Sequence, residues 1–364
     1  MKQEELMQKN DFPPPQDSSD KYAQLKDWVA LQLKSLSEDA ENSPEFDWLP
    51  LPGDAGFRHY FRVRLQSSSL MAVFSPPETE NNKAFFKIDS YFREHGVHVP
   101  KVLARDFDYG FLLLEDLGEK LYLEYLNYDT VDVLYGEALM ALLRIQQCPL
   151  DYATFPLYDE PQLRKELALF SEWFVPKILK YRLSDEENAL IDNAFSVLVA
   201  SACEQTKVTV HRDFHSRNLV YGAGGVPGII DFQDAVIGPV TYDLVSLLKD
   251  CYISWPRENV QRWALAYANM AVDVGIMPPT SKDQFITWFD LMGLQRHIKV
   301  LGIFSRLSLR DGKHQYLNDL PQVLEYVRSV LARYPVLEAF GAWFEGKLMP
   351  EVNKQPWMKA TSPR

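Results

Sequence analysis

The stretch HRDFHSRNLVYGAGGVPGIIDFQD, from His211 to Asp234, places three polar residues at intervals that suit one kind of chemistry. Asp213 follows a short β-type run, Asn218 opens a second, and Asp231 closes a third just before Phe232. Short runs joined by loops bring their ends together. Phosphoryl transfer needs such a set: one group to accept or orient the proton of an attacking hydroxyl, and others to hold cations against the phosphate oxygens. Asp213 suits the first task; Asn218 and Asp231 suit the second. Mg2+ takes hard oxygen ligands and keeps several waters, so one carboxylate and one amide oxygen suffice when a nucleotide brings the rest. Isolated Asp and Asn are usually turn or cap residues, but the combined spacing and strand context argue against that here.

The acceptor hydroxyl must come within hydrogen-bond reach of Asp213 and in line with the phosphate. Arg217, Gln233 and Asp234 are placed beside that point, with His215 next to them, and Tyr252 and Trp255 are candidates to stack on a ring. His211 reads as a structural neighbour of the loop. Upstream, PGDAGFRHYFRV sets Gly53, Asp54 and Gly56 in a turn entering a strand, where small residues let backbone amides approach phosphates. Arg58 and Arg62 follow closely. Arg62 and Arg64 share one strand face, so they are candidates to reach nucleotide phosphates.

Around these residues the hydrophobic pattern supplies the elements. Tyr22 to Leu36 has helical spacing, FRHYFRVRL and LMAVF read as a hairpin across Ser67 to Ser69, and Phe85 to Phe92 as a helix ended by Gly96. KVLARDF and GFLLLED read as two further strands. Beyond Gly118 the pattern turns helical, through Leu134, Ala138, Leu142 and Ile145 and through a capping box at Ser184 and Glu187. The only β signals there are KVTV (207–210), NLVY (218–221) and PGIID (227–231), and everything downstream reads as helix. The expected architecture is α+β and two-lobed. A leader without structure occupies 1–20, a small mixed α/β nucleotide-binding lobe 21–116, a larger mainly helical catalytic and substrate lobe with a short central β segment 117–350, and a tail 351–364.

HRDFHSRN followed by IIDFQDAVIGPVTYDL resembles the aminoglycoside phosphotransferase and choline kinase superfamily, with its protein-kinase-like fold, over nearly the whole chain. Together with DAGFRHYFRV, FLLLEDLG and RHIKVLGIFSRL, the chain is similar to bacterial anomeric sugar kinases acting on N-acetylmuramate and N-acetylglucosamine. The resemblance implies ATP as phosphate donor, Mg2+ as cofactor, and a sugar 1-phosphate product for cell-wall recycling. It also implies that Glu115, Asp116 and Leu117 form a hinge presenting backbone groups to adenine, and that Asp243 braces the catalytic loop. An amino sugar would suit Asp and Gln partners, and a lactyl carboxylate would want an arginine such as Arg217 or Arg296. A protein kinase is disfavoured independently: eleven residues between Asp231 and Asp243 leave no room for an activation segment.

One departure stands out. No Lys or Arg occurs from Leu65 to Asn82, where such kinases carry a phosphate-pairing lysine, so Arg58 or Arg62, or Lys83 or Lys87, is expected to take over that work. The lost lysine also motivates an inactive nucleotide-binding scaffold as an alternative, beside a kinase for an aminoglycoside or choline type of alcohol. A formal charge of −12 argues against unspecific binding to nucleic acid or anionic membranes. Three cysteines without CxxC spacing suggest neither a disulfide framework nor a zinc site. With no secretory leader and no long apolar run, a cytoplasmic location is expected.

Overall fold

The computed structural model describes residues 16–36, 45–52, 56–222 and 224–358. It divides into two compact units. The first takes the chain up to Phe86 together with Pro100–Asp116, and the second takes Lys87–Val99 with Leu117 onward.

The first unit is built on helix α1 (Gln16–Leu36) and strands β1 (Asp47–Pro50), β2 (His59–Arg64) and β3 (Ser69–Phe74). Helix α2 (Asn82–Glu94), whose residues from Lys87 onward belong to the second unit, follows, then β4 (Val102–Asp106) and β5 (Phe111–Glu115). The strands form one antiparallel sheet in the order β1-β2-β3-β5-β4. The β2 and β3 pairing, His59 opposite Phe74 through Arg64 opposite Ser69, is the hairpin expected from the alternating pattern. Leu25, Val29 and Leu33, spaced on one helical face of α1, pack on Phe61, Val63, Ala72, Phe74, Phe111 and Leu113. Helix α1 begins at Gln16, so residues 16–20 of the expected leader are helical; residues 1–15 lie outside the described residues.

The second unit is mainly helical: α3 (Tyr122–Tyr125), α4 (Val131–Gln146), α5 (Glu160–Leu169), α6 (Asp185–Cys203), and, after a central β segment, α7 (Tyr242–Leu248), α8 (Arg257–Asp273), α9 (Lys282–Asp311) and α10 (Leu320–Leu331). The capping box at Ser184 and Glu187 opens α6 as the sequence indicates. Between α5 and α6 the chain widens into π-helical turns over Phe170–Ile178, which the apolar pattern did not foretell. Helix α9 runs through the middle of the unit. Its N-terminus is capped by the Ser281 side chain and its C-terminus closes on Gly312 at φ 70°.

The β segment holds β6 (Lys207–Val210), β7 (Leu219–Val220), β8 (Gly228–Ile229) and β9 (Val236–Pro239). Strand β9 corrects the expectation that everything after Asp231 is helical. VIGP is too short to show a period, and its strand state comes from pairing along β6, with Val210 opposite Val236 and Lys207 opposite Pro239.

Gly302 tests how tightly α9 is seated. A Cβ built there would lie 2.4 Å from the Leu169 carbonyl carbon and 2.6 Å from its Cβ, so the backbone must move. Gly302→Ala is therefore expected to cost about 2 kcal/mol or more despite the helix propensity of alanine. The thermal midpoint of the helical signal should fall by roughly 4 °C or more for a unit of this size. An unchanged midpoint would mean the contact with Leu169 is loose.

Candidate active site

The register of two short hairpins builds the site. Strand β7 pairs with β8 as Leu219 opposite Ile229 and Val220 opposite Gly228. One step beyond, the Ile230 amide donates to the Asn218 carbonyl at 3.1 Å, so Asn218 and Asp231 emerge side by side. The Asn218 side-chain nitrogen donates to the Asp213 carbonyl at 2.9 Å and to Asp231 Oδ2 at 3.3 Å. The three residues singled out from the sequence are thus gathered within the second unit. Asp231 also accepts from Gln233 Nε2 at 2.7 Å.

The loop before Asp213 is held from below. Asp243, fully buried in the first turn of α7, accepts from the backbone amides of His211 at 2.6 Å and Arg212 at 2.9 Å. Those bonds fix Arg212 at φ 77°, a left-handed conformation costly for a residue with a side chain. Asp231 also has positive φ, at 66°. Of the three non-glycine residues so strained among those described, two are here and the third is Lys180. Buried His211 shares a hydrogen bond between Nε2 and the Ile230 carbonyl at 3.1 Å, while its Nδ1 accepts from the Asp213 amide at 3.3 Å. Burial pushes its pKa down to about 4, so it is a neutral strut with the proton on Nε2. Asp250 holds the far side, accepting from the Ser216 amide at 3.0 Å and its hydroxyl at 2.5 Å.

The two acids are poised differently. Burial acts to raise the Asp213 pKa, but the charges of Lys299, His215, Arg296 and Arg212 outweigh it and hold the pKa below the usual carboxylate range. Asp213 is accordingly an anion at neutral pH, able to accept a hydrogen bond from a hydroxyl. Asp231 keeps solvent contact yet is closely surrounded by protein. That desolvation, with the Asp213 charge added, raises its pKa against the pull of Gln233. A cation would relieve this cost. With its nitrogen engaged, Asn218 retains an oxygen without a hydrogen bond among the described residues. One amide oxygen and one carboxylate fit Mg2+ that keeps its waters. No group of three or more His, Cys, Asp or Glu that could hold a metal ion occurs among the described residues, so a cage made by protein alone is not what the site offers.

Beneath Asp213 lies a network that the sequence did not reveal. Glu166 on α5 pairs with Arg212 at 2.5 Å and with Lys299 on α9 at 3.1 Å, and Lys299 donates to the Tyr242 hydroxyl at 2.9 Å. Tyr158 donates to the same carboxylate. The available signal was a lysine and an arginine three residues apart inside the apolar run RHIKVLGIF, since cations in a buried helix need a reason.

The acceptor candidates sort unevenly. His215, Arg217 and Tyr252 come together: the Tyr252 ring lies 5.5 Å from the His215 ring and 4.4 Å from the Arg217 guanidinium. Gln233 touches Asp231, and the Asp234 carbonyl accepts from Arg212 at 3.5 Å while its side chain is exposed. Arg296 is buried within electrostatic range of Asp213. Trp255 is a correction. It is 9% exposed, donates its indole N–H to the Tyr135 hydroxyl at 2.9 Å and meets Tyr128, Tyr135 and Trp263 edge to face, so its faces serve the core.

The nucleotide candidates belong mostly to the first unit. Gly53 and Asp54 lie outside the described residues, and Gly56 is exposed. Arg58 pairs with Glu80 at 3.0 Å and stacks on Phe85; Arg62 pairs with Asp116 at 2.6 Å. The two arginines expected to replace the lysine each answer an acid, which no local pattern signals: Asp116 is 54 residues from Arg62. Exposed Glu115 accepts from the Lys101 amide at 3.2 Å, and Leu117, in the second unit, packs where a Cβ on Gly228 would stand. Lys87 reaches the Ala153 carbonyl at 2.7 Å, and Lys83 is exposed.

Known proteins similar to this chain bear the names of kinases and phosphotransferases. The chain is 41% identical over 320 residues to the N-acetylmuramate/N-acetylglucosamine kinase of Pseudomonas putida, covering 87% of this chain and 94% of that one. It is 37% identical to the protein of the same name from Neisseria meningitidis, covering 84% and 92%. Among solved structures, it superposes on a Plasmodium vivax ethanolamine kinase with a TM-score of 0.62 at 15% identity, covering 88% of this chain and 89% of that chain. An ADP-bound aminoglycoside phosphotransferase, APH(2'')-Ib, gives 0.56 at 15% identity, covering 84% and 97%; at such identities these two likenesses speak for the fold. A sequence model described as the phosphotransferase enzyme family matches residues 47–277, a span that includes Asp213, Asn218 and Asp231, and the chain belongs to that family.

Proposed function

We propose that this protein transfers the terminal phosphoryl group of ATP to the anomeric hydroxyl of N-acetylmuramate or N-acetylglucosamine, giving the sugar 1-phosphate and ADP. The observation that carries the reading is the Asp213, Asn218 and Asp231 cluster, in a chain 41% identical to a kinase named for those two sugars. The anomeric oxygen attacks the terminal phosphorus, its bond to phosphorus forms as the bond to the ADP oxygen breaks, and the hydroxyl proton passes toward Asp213. An anionic Asp213 orients that hydroxyl throughout. Asn218 and Asp231 would hold Mg2+, which when bound neutralises charge on the phosphate oxygens. Gln233 positions Asp231, and Asp243 with His211 holds the loop. Arg58 and Arg62, paired with Glu80 and Asp116, act as braces of the first unit in this reading. A cytoplasmic setting suits ATP as donor, and no described helix is long and apolar enough to cross a membrane.

The test is ADP release with Mg2+ and ATP over a panel of acceptors: the two amino sugars, an aminoglycoside, choline and ethanolamine. Turnover on the amino sugars at least about a hundredfold above the amines in kcat/KM is expected, because a site that answers specific polar groups rejects analogues lacking them. Preference for an amine would overturn the acceptor assignment. Nucleotide binding without turnover on any acceptor would establish the scaffold alternative.

A further inference from the structure

Five cationic side chains are buried among the described residues: Arg58, Arg62, Lys249, Lys299 and Arg296. Four have an acid within ion-pair distance: Glu80 at 3.0 Å, Asp116 at 2.6 Å, Asp290 at 2.7 Å and Glu166 at 3.1 Å. Arg296 has none. It is 5% exposed, its Nε is buried without a hydrogen-bond partner, and its nearest aromatic face is Tyr242, with the guanidinium 5.9 Å from the ring centre. A buried guanidinium left without an acid is costly, and a ligand that brings an anion would remove that cost. Its place on α9 is three residues before Lys299, which is bound to the Tyr242 hydroxyl, so Arg296 and Lys299 share that tyrosine. Lys299 is satisfied by Glu166 and Arg296 is not.

The acids near Arg296 do not fill the gap. Asp213 and Asp250 act on it electrostatically, but neither hydrogen-bonds it. Asp250 is occupied by Ser216 and the Tyr252 amide. Asp213 must face the acceptor. An anion bound at Arg296 would therefore lie within electrostatic range of Asp213, the group proposed to orient the attacking hydroxyl.

We infer that Arg296 is the receptor for a carboxylate carried by the acceptor, and that it sets the preference between anionic and neutral sugars. The inference rests on the function proposed above. N-acetylmuramate and N-acetylglucosamine differ by one lactyl ether, hence by one carboxylate. A guanidinium fork can grip that carboxylate with two hydrogen bonds, and the neutral sugar leaves it bare. Arg217 serves this role less well, being exposed and set over the Tyr252 ring.

Calorimetric titration of each sugar into the full-length protein, with MgADP present, tests this without requiring turnover. In the native protein N-acetylmuramate should bind more tightly than N-acetylglucosamine. Arg296→Gln should weaken N-acetylmuramate by roughly tenfold to a hundredfold, the range for a lost charged hydrogen bond, and weaken N-acetylglucosamine at least about tenfold less. Arg296→Lys, which keeps the charge and loses the fork, should fall between, and it decides the matter if the Gln variant does not fold. Equal losses for both sugars would overturn the inference and make Arg296 a support for Asp213 or the phosphate. A carboxylate preference that depends on Arg296, in a protein that transfers phosphate to neither sugar, would sustain the anion site while removing the proposed reaction.

Discussion

Asp213→Asn should lower kcat for sugar phosphorylation by about a thousandfold to ten-thousandfold while leaving nucleotide affinity within a factor of about three and the melting temperature nearly unchanged. The near-isosteric amide keeps the volume and the backbone bonds from Asp213 to Asn218 and His211, which involve main-chain atoms. What it removes is the negative charge that the fields of Lys299, His215, Arg296 and Arg212 favour. The amide can no longer receive the hydroxyl proton. The loss is therefore one of chemistry, with KM changing far less than kcat. Steady-state kinetics beside a melting curve check it. A variant that keeps more than about a tenth of native turnover would move the proton-accepting role off Asp213, given the usual size of such contributions.

Asp243→Ala should fail in the opposite order, with stability lost first and activity following. The substitution leaves the His211 and Arg212 amides without their acceptor in a fully buried site. Each abandoned donor costs about 1–3 kcal/mol, so a total of roughly 2–6 kcal/mol is expected for the two. The left-handed Arg212 also loses what holds it, and the following Asp213 is displaced; a shift of about 1 Å at a reacting group costs about a hundredfold in rate. Asp243→Asn retains one acceptor oxygen and should be intermediate. Denaturant unfolding with kcat measured on the surviving folded protein separates the two effects. Native stability in the Ala variant would show that the loop is held by its flanking strands alone.

What the sequence disclosed and what it concealed follow from the range of the interactions. The Asp213, Asn218 and Asp231 set was legible because hairpin register converts spacing directly into proximity, and the two strands joining Asn218 to Asp231 are local. The β2 and β3 hairpin and the α6 capping box were legible for the same reason. Hidden features depend on distant partners. Strand β9 exists because Val236 to Pro239 find β6, and Trp255, in the loop before α8, is core because Tyr135 on α4 takes its N–H. Arg58 and Arg62 looked available for phosphate because Glu80 and Asp116 are remote or inconspicuous in the sequence. The Glu166, Arg212 and Lys299 network joins α5, the catalytic loop and α9, and no periodicity encodes it. Conversely, the missing acid at Arg296 is visible only once every other buried cation has been matched to its partner.

The most direct trial of the account is where the phosphate lands. With ATP, Mg2+ and N-acetylglucosamine labelled with carbon-13 at C1, the product should show phosphorus coupling at the anomeric carbon, and Asp213→Asn should yield almost none of it under the same conditions. Phosphate found on another oxygen of the sugar, or label left unmodified while ATP is consumed, would contradict the claim that this cluster presents the anomeric hydroxyl to the terminal phosphate.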